Sequence, residues 1–218
     1  MKISVVQNIL EANQRIAEEN RARFSQHKVL VINLMSSPGA GKTSLLEKTI
    51  HALKGDSRVG VIEGDIQSTY DAEKIEKTGA AVVQINTGGA CHLDSNMIQQ
   101  AMQDLDPAGL DLLFIENVGN LVCPAEFNLG ENFKAMILSV AEGDDKPLKY
   151  PLMFHESKAL VINKMDLLPF CDCSPDLIED RALKINPHLA IFRVSCRTGE
   201  GLDGWTGWLK KQIQAAKE

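Results

Sequence analysis

No stretch of this 218-residue sequence stays apolar for the roughly 20 residues that a membrane span needs. Its opening, MKISVVQNILEANQRIAEENRARF, scatters charge along its length and has no apolar centre, so it does not read as a secretory signal. Positive charge is short as well: 23 Lys and Arg stand against 29 Asp and Glu, a net charge of −6. General nucleic-acid binding and anionic-membrane binding both want a positive surface, so neither is expected. Cysteine is sparse and odd in number, at positions 91, 123, 171, 173 and 196. A disulfide framework is therefore not expected in a chain that reads as cytoplasmic, leaving metal binding or plain buried thiols. There is no internal repeat, no low-complexity tract and no Pro/Gly-rich linker. With 44% hydrophobic residues, a chain of this length can bury roughly 70% of its unfolded surface without cross-links.

What the sequence does have is alternation. At the start, Ile3, Val6, Ile9, Leu10, Ile16 and Ala17 fall near helical spacing, which predicts an amphipathic helix with one polar face. After it, VLVINLM (29–35), VGVI (59–62), AVVQI (81–85), LLFI (112–115), AMILSV (135–140), ALVIN (159–163) and AIFRV (190–194) read as buried strands. Segments such as KTSLLEKTIHAL and LDSNMIQQAMQDL, which lie between strands, have helical periodicity. The pattern predicts an α/β fold of three layers, with a mostly parallel sheet between helices and an N-terminal amphipathic helix. The expected organisation is a helical arm over residues 1–28 and a single domain over 29–218. Ligands of such sheets bind at the carboxyl ends of the strands, so informative residues should follow the apolar runs.

They do. SSPGAGKTS (36–44) follows the first run and matches G-x-x-x-x-G-K-[ST] except that Ser36 replaces the first glycine. This is the strand–loop–helix setting of a P-loop NTPase. Ser37, Pro38, Gly39, Ala40 and Gly41 would curl so that backbone N–H groups face phosphate oxygens, at the positive end of the helix that follows. Lys42 would neutralise the β/γ phosphates, the Thr43 hydroxyl would ligate Mg²⁺, and Ser44 belongs to the same nucleotide-binding set. Asp65 and Asp71, in VIEGDIQSTYD, and Glu116, in LLFIENVGN, are candidates to complete the Mg²⁺ shell. Asp65 and Asp71 have equal standing as solvated loop carboxylates or helix caps. The Gly119 amide would sense a γ-phosphate, making its segment a switch.

ALVINKMDLL places Asn163, Lys164 and Asp166 directly after an apolar run. An Asp carboxylate accepts from both guanine N1–H and the exocyclic amine, a donor pair that adenine lacks. Asn163 would brace the loop or reach N7, and the Lys164 stem would lie over the base. Ser195 and the Cys196 amide, in RVSCRTGEG, would sit near the guanine O6. GTP rather than ATP is the expected nucleotide; a kinase would have no use for Asn163 and Asp166.

CHLDSN (91–96) sets a thiol beside an imidazole, and Cys123 follows Gly119 by four residues. Leu93-Asp94-Ser95 reads as a helix entry, whose positive end would favour thiolate. Cys91, His92 and Cys123 form a ligand set of the kind that suits Ni²⁺ or Zn²⁺. Three ligands are one short of a closed tetrahedron, which suits transfer or a site shared across a symmetric dimer. On the residues alone, buried thiols and a loop histidine remain an alternative. Cys171 and Cys173, in FCDC, read as loop or partly buried thiols for want of a nearby histidine.

SSPGAGKT, EGDIQSTYDAEKI, TGGACHLDSNMI, IENVGNLVCPAEFNLGE, VAEGDDKPLKYPLMF, NKMDLLP and TGEGL together resemble the HypB family of nickel-incorporation GTPases, over about residues 29–214. GTP hydrolysis with Mg²⁺ is expected, with Lys42, Thr43 and Glu116 in the catalytic machinery, and it is expected to be slow, because no catalytic base or arginine finger stands out. The resemblance implies a Ni²⁺ or Zn²⁺ site of Cys91, His92 and Cys123, GTP-dependent homodimerisation, a HypA-like metallochaperone partner and a hydrogenase large-subunit precursor as client. Other metallocofactor-accessory GTPases and a non-catalytic metal store are the rival readings. Some members carry a cysteine- or histidine-rich N-terminal segment. The first 28 residues here contain no cysteine and only His27, so nickel storage there is not expected. Cys196-Arg197 stands where Ala-Lys is usual in the family, a small departure if the backbone amide makes the contact.

Overall fold

The computed structural model describes residues 3–65 and 70–218. The side chains of Ile3 and Val6, and residues 66–69 of the acidic loop, lie outside the described residues. Seven strands form one sheet: β1 (Leu30–Ser36), β2 (Val59–Asp65), β3 (Ala81–Asn86), β4 (Leu112–Glu116), β5 (Phe133–Ser139), β6 (Ser157–Asn163) and β7 (Ala190–Arg193). Their order is β3-β2-β4-β1-β5-β6-β7. Every pairing is parallel, where the sequence pointed only to a mostly parallel sheet. The helices are α1 (Ile3–Gln26), α2 (Lys42–Leu53), α3 (Tyr70–Glu76), α4 (Ser95–Ala101), α5 (Cys123–Glu126), α6 (Lys146–Lys149), α7 (Pro151–Glu156), α8 (Pro175–Ile185) and α9 (Leu202–Lys217).

The strands form where β-branched and aliphatic residues run continuously, because both faces of a parallel sheet are covered. All seven residues of β1 are buried. Alternate side chains serve opposite faces. Ile32 and Leu34 pack with Leu45, Leu46 and Trp205 of α2 and α9. Val31 packs with Phe24 of α1 and Ile98 of α4. Each such aliphatic side chain, fully buried, contributes about 1.5–3 kcal/mol of transfer free energy. Trp205 is fully buried and donates its Nε1–H to Thr49 Oγ1 at 2.9 Å, so its one polar atom is satisfied.

Strand order reverses around β1, which lies between β4 and β5. Connections from β1 and β4 therefore diverge at their carboxyl ends and leave a crevice there. Helix α1 lies against α4, fixed by buried Asn13 and Asn20 as well as by Ala17 and Phe24.

Candidate functional site

At the end of β1 the chain turns through Ser37–Gly41 into α2. Gly39 and Gly41 take φ of +73° and +103°, the left-handed region that a side chain disfavours. At Gly41 space is limiting as well: a Cβ would fall 2.4 Å from Asn163 Nδ2. That amide donates to the Ala40 carbonyl at 3.0 Å, so the loop after β6 braces the phosphate loop. Ser37 Oγ donates to Glu142, whose other carboxylate oxygen accepts from Ser139 N at 2.8 Å. Lys42 Nζ folds back to Ser36 Oγ at 3.0 Å. Burial lowers its pKa, opposed by the carboxylates of Glu116 and Asp71. Thr43 Oγ1 donates to Glu116 Oε1 at 2.9 Å. Lys42, Thr43, Ser44, Asp71 and Glu116 line a cavity of about 300 Å³. Asp65 closes β2, and Asp71 lies in the first turn of α3, ion-paired to Lys74 at 3.2 Å.

Sequence reasoning missed Glu63. It is paired in register with Glu116 across β2 and β4, and both are buried. Glu63 Oε2 and Glu116 Oε2 each lack a hydrogen-bond partner. Burial, then the neighbouring carboxylate, pushes Glu63 up to about 8; burial pushes Glu116 up to about 7. Two orphaned carboxylate oxygens beside a threonine hydroxyl form a hard, all-oxygen donor set, the kind Mg²⁺ takes. The signal was present: a lone Glu inside the apolar run VGVI-EGD, two residues before Asp65 and so on its strand face.

Asn163, Lys164, Asp166 and Cys196 line a second cavity of about 350 Å³, next to Gly41 and Ser44. Asp166 Oδ1 accepts the Ser195 hydroxyl at 2.6 Å, and Asn163 Oδ1 accepts the Cys196 N–H at 3.3 Å. Burial raises the Cys196 thiol to about 11, keeping it inert. Lys164 Nζ donates to the Gly39 carbonyl at 2.7 Å, so its stem, the part expected over a base, spans from the loop after β6 to the phosphate loop.

Cys91, His92 and Cys123 come together: their ligand atoms all lie within 4.8 Å of one another. Cys91 Sγ is 3.2 Å from Cys123 Sγ and 3.4 Å from His92 Nδ1. Burial lowers the His92 pKa, favouring the neutral imidazole that ligates metal. Asp94 caps α4, accepting from Met97 N at 2.8 Å, and the Cys123 thiol is raised by the Cys91 hydrogen bond and by burial. Two asparagines that sequence reasoning also missed tie this cluster to the strand end. Asn117 Oδ1 accepts from Leu93 N at 3.0 Å, and Asn120 Nδ2 donates to the Cys91 carbonyl at 3.2 Å. Gly119 lies against Pro38, where a Cβ would fall 2.9 Å from Pro38 Cα. Cys171 and Cys173 are half-buried and lie apart from this cluster, packed against the apolar group under α7 and α8.

The family model of the CobW/HypB/UreG nucleotide-binding domain matches residues 30–193. Hydrogenase maturation factor HypB of Azotobacter vinelandii is 51% identical over 210 residues, 96% of this chain and 69% of that protein. The chain belongs to the HypB family. Among solved HypB structures, that from Archaeoglobus fulgidus superposes with a TM-score of 0.88 at 36% identity, covering 94% of this chain and all of that one. HypB from Helicobacter pylori, crystallised in complex with nickel, also gives 0.88 at 37% identity, covering 95% and 97%. The HypB fold, an α/β P-loop nucleotide-binding sheet, is therefore this chain's fold, and no described helix is long and apolar enough to cross a membrane.

Proposed function

We propose that this chain is a GTP hydrolase that assists nickel insertion during hydrogenase maturation, with nucleotide state setting the geometry of a Cys91/His92/Cys123 metal site. The observation that carries this reading is the pair of consecutive residues at the end of β4. Glu116 accepts the hydroxyl of phosphate-loop Thr43, and Asn117 accepts the N–H of Leu93, next to the ligand His92. A change at the phosphates thus has a covalent and hydrogen-bonded route of a few residues to the thiols.

In this reading residues 29–218 are the nucleotide domain and residues 1–28 an appended arm. Asp166 recognises guanine through its N1–H and amine, held in place by Ser195, and the Cys196 N–H would exchange its present partner, Asn163 Oδ1, for O6. Lys42 and the loop amides, Pro38 having none to offer, absorb charge that develops on the phosphates. Thr43, Glu116, Asp65 and Asp71, with Glu63 beside them, would hold Mg²⁺, which supplies further positive charge to the β/γ oxygens when bound. The Gly119 amide, pressed on Pro38, follows the γ-phosphate and draws the segment ending at Cys123 with it. Turnover is slow, as befits a timer. Nickel (or zinc) is cargo: two thiols and one imidazole leave a coordination position open for transfer or for a second copy of the chain. A GTP-dependent homodimer, a HypA-like metallochaperone and a hydrogenase large-subunit precursor are the partners this scheme requires, in a cytoplasmic setting.

Equilibrium dialysis with Ni²⁺ and Zn²⁺, with and without a GTP analogue, tests the scheme alongside sedimentation of the same samples. The expected result is metal affinity that changes with nucleotide and is lost in Cys91→Ala and Cys123→Ala. Affinity that ignores nucleotide and survives both substitutions would sink it.

A further inference from the structure

We infer that Asn13 and Asn20 of α1 are positioning residues for the Cys91/His92/Cys123 cluster, clamping the two loops that carry its ligands. The inference rests on the metal reading above. Cys91 and His92 precede Ser95, the first residue of α4; Cys123 opens α5, which runs into the turn at Asn128–Gly130. These segments are more than 25 residues apart in sequence, and one helix holds both.

Asn13 Oδ1 accepts from Ser95 N at 2.8 Å, and its carbonyl accepts the Ser95 hydroxyl at 2.7 Å. Its Nδ2 donates the other way, to the Asn128 carbonyl at 2.7 Å. Asn20 repeats the arrangement two turns later on the same helix face, donating to the Ser95 carbonyl at 2.8 Å and to the Leu129 carbonyl at 3.1 Å. Both asparagines are buried, at 8% and 1% exposure, where a lost partner is costly. Gly130, at φ +96°, lets the turn press on the helix: a Cβ there would fall 2.7 Å from Asn20 Cβ. Behind the imidazole lies Phe127, which faces α1 across a small cavity. The His92 ring lies 3.8 Å from that of Phe127, centroid to centroid, and Phe127 shares a 230 Å³ cavity with Ile9, Ala12 and Ile16.

A helix attached only to complete a core would need none of its polar groups on both ligand loops at once. Here two side chains set the separation of the loops, and so of the sulfurs. The nucleotide cavities are lined by other elements, so releasing the clamp loosens the metal cluster and leaves nucleotide binding intact.

The test uses the full chain carrying Cys171→Ser and Cys173→Ser, with and without Asn13→Ala or Asn20→Ala. Three quantities are read: Ni²⁺ affinity from sulfur-to-nickel charge-transfer absorbance, the rate of capture by phenylarsine oxide, and GTP-analogue affinity. Phenylarsine oxide bridges two closely spaced thiols and reports their separation without metal. Each asparagine variant is expected to lower Ni²⁺ affinity and arsenical capture by roughly tenfold, the scale on which supporting residues act at metal sites, with GTP-analogue affinity unchanged. Unchanged nickel and arsenical readings overturn the clamp, and so does a parallel fall in nucleotide affinity, which would mark a general loss of fold. A parent that binds no nickel through its thiols sinks the metal reading instead, and the arsenical rates still decide the clamp. Should Asn20→Ala fail to fold, Asn13→Asp carries the test. It keeps the acceptor for Ser95 but sets a carboxylate against the Asn128 carbonyl, and slower arsenical capture is again expected.

Discussion

Asn117 Oδ1 accepts the backbone N–H of Leu93 at 3.0 Å, and the same oxygen accepts from Val118 N at 2.9 Å. Its Nδ2 donates to Asn33 Oδ1 at 3.2 Å, inside the sheet. One buried amide therefore joins the end of β4, the centre of β1 and the loop that carries Cys91 and His92. It ties the loop that carries Cys91 and His92 to the strands whose ends support the phosphate loop, which makes the proposed coupling open to direct attack.

Asn117→Ala should separate the two sites. The Leu93 N–H loses its acceptor in a buried setting, which costs about 1–3 kcal/mol of stability. Nucleotide affinity should hold, because Glu116 still meets Thr43. The shift in nickel affinity on adding a GTP analogue, worth about 1–3 kcal/mol where two sites are coupled, should vanish. Nickel titrations at saturating and zero analogue measure it; an undiminished shift removes Asn117 from the route.

Gly119→Ala attacks the same route from the other side. The new Cβ would meet Pro38 Cα and N at 2.9 Å, and backbone there cannot swing aside as a flexible side chain can. The phosphate loop or the 116–123 segment must shift. Affinity for a GTP analogue should fall by roughly tenfold, with GDP affinity less affected, since a misplaced amide costs about one hydrogen bond to a charged group. Equal loss for GTP and GDP would mean that the contact shapes the loop without reporting the γ-phosphate.

Asp166→Asn tests the base. Replacing the carboxylate with an amide puts a donor where guanine already presents two, and the Ser195 hydroxyl loses its charged acceptor. Hydrogen bonds to a charged group contribute about 1.5–3 kcal/mol, so GTP affinity should fall by roughly tenfold to a hundredfold. Xanthosine triphosphate, which carries an acceptor at that position, should gain. Competition between the two nucleotides reads the outcome, and a variant that still prefers guanine refutes the assignment.

Much of this was legible in the sequence. All seven apolar runs became strands, because buried parallel strands need continuous aliphatic residues and that signature is local. Residues at or soon after a strand's carboxyl end, such as Glu116, Asn163 and Lys42, could be assigned to the crevice for the same reason. Glu63 left a trace, as a lone charge inside an apolar run, but the roles of Asn117, Asn13 and Asn20 left none. Their partners are fixed by strand register or by helix docking, and separations such as the 82 residues between Asn13 and Ser95 leave no periodic trace. Lys164 shows the converse limit: its place at the strand end was legible, but the Gly39 carbonyl as the partner of its Nζ was not, because a flexible side chain's contact leaves no trace in spacing.

Glu63 also makes a prediction about pH. An exposed glutamate ionises near 4.5, whereas Glu63 and Glu116 are held up to about 8 and about 7, chiefly by burial. Between those values the folded protein keeps protons that the unfolded chain has lost, so stability must fall as pH rises through this window. Without nucleotide and Mg²⁺, Tm should therefore decline from about pH 5 to about pH 8 and level off above the higher pKa. Glu63→Gln removes one of the two buried charges and offers an amide donor to the orphaned Glu116 Oε2. Its Tm at pH 8 should exceed that of the parent, with a shallower slope below. The same substitution should weaken Mg²⁺-dependent binding of GTP, because the hard oxygen set loses a charge. Thermal scans across pH, paired with Mg²⁺ titrations of nucleotide binding, check both halves. A flat Tm profile in the parent, or a Gln variant less stable than the parent at pH 8, would show that the carboxylates are already paired and leave no room for the cation.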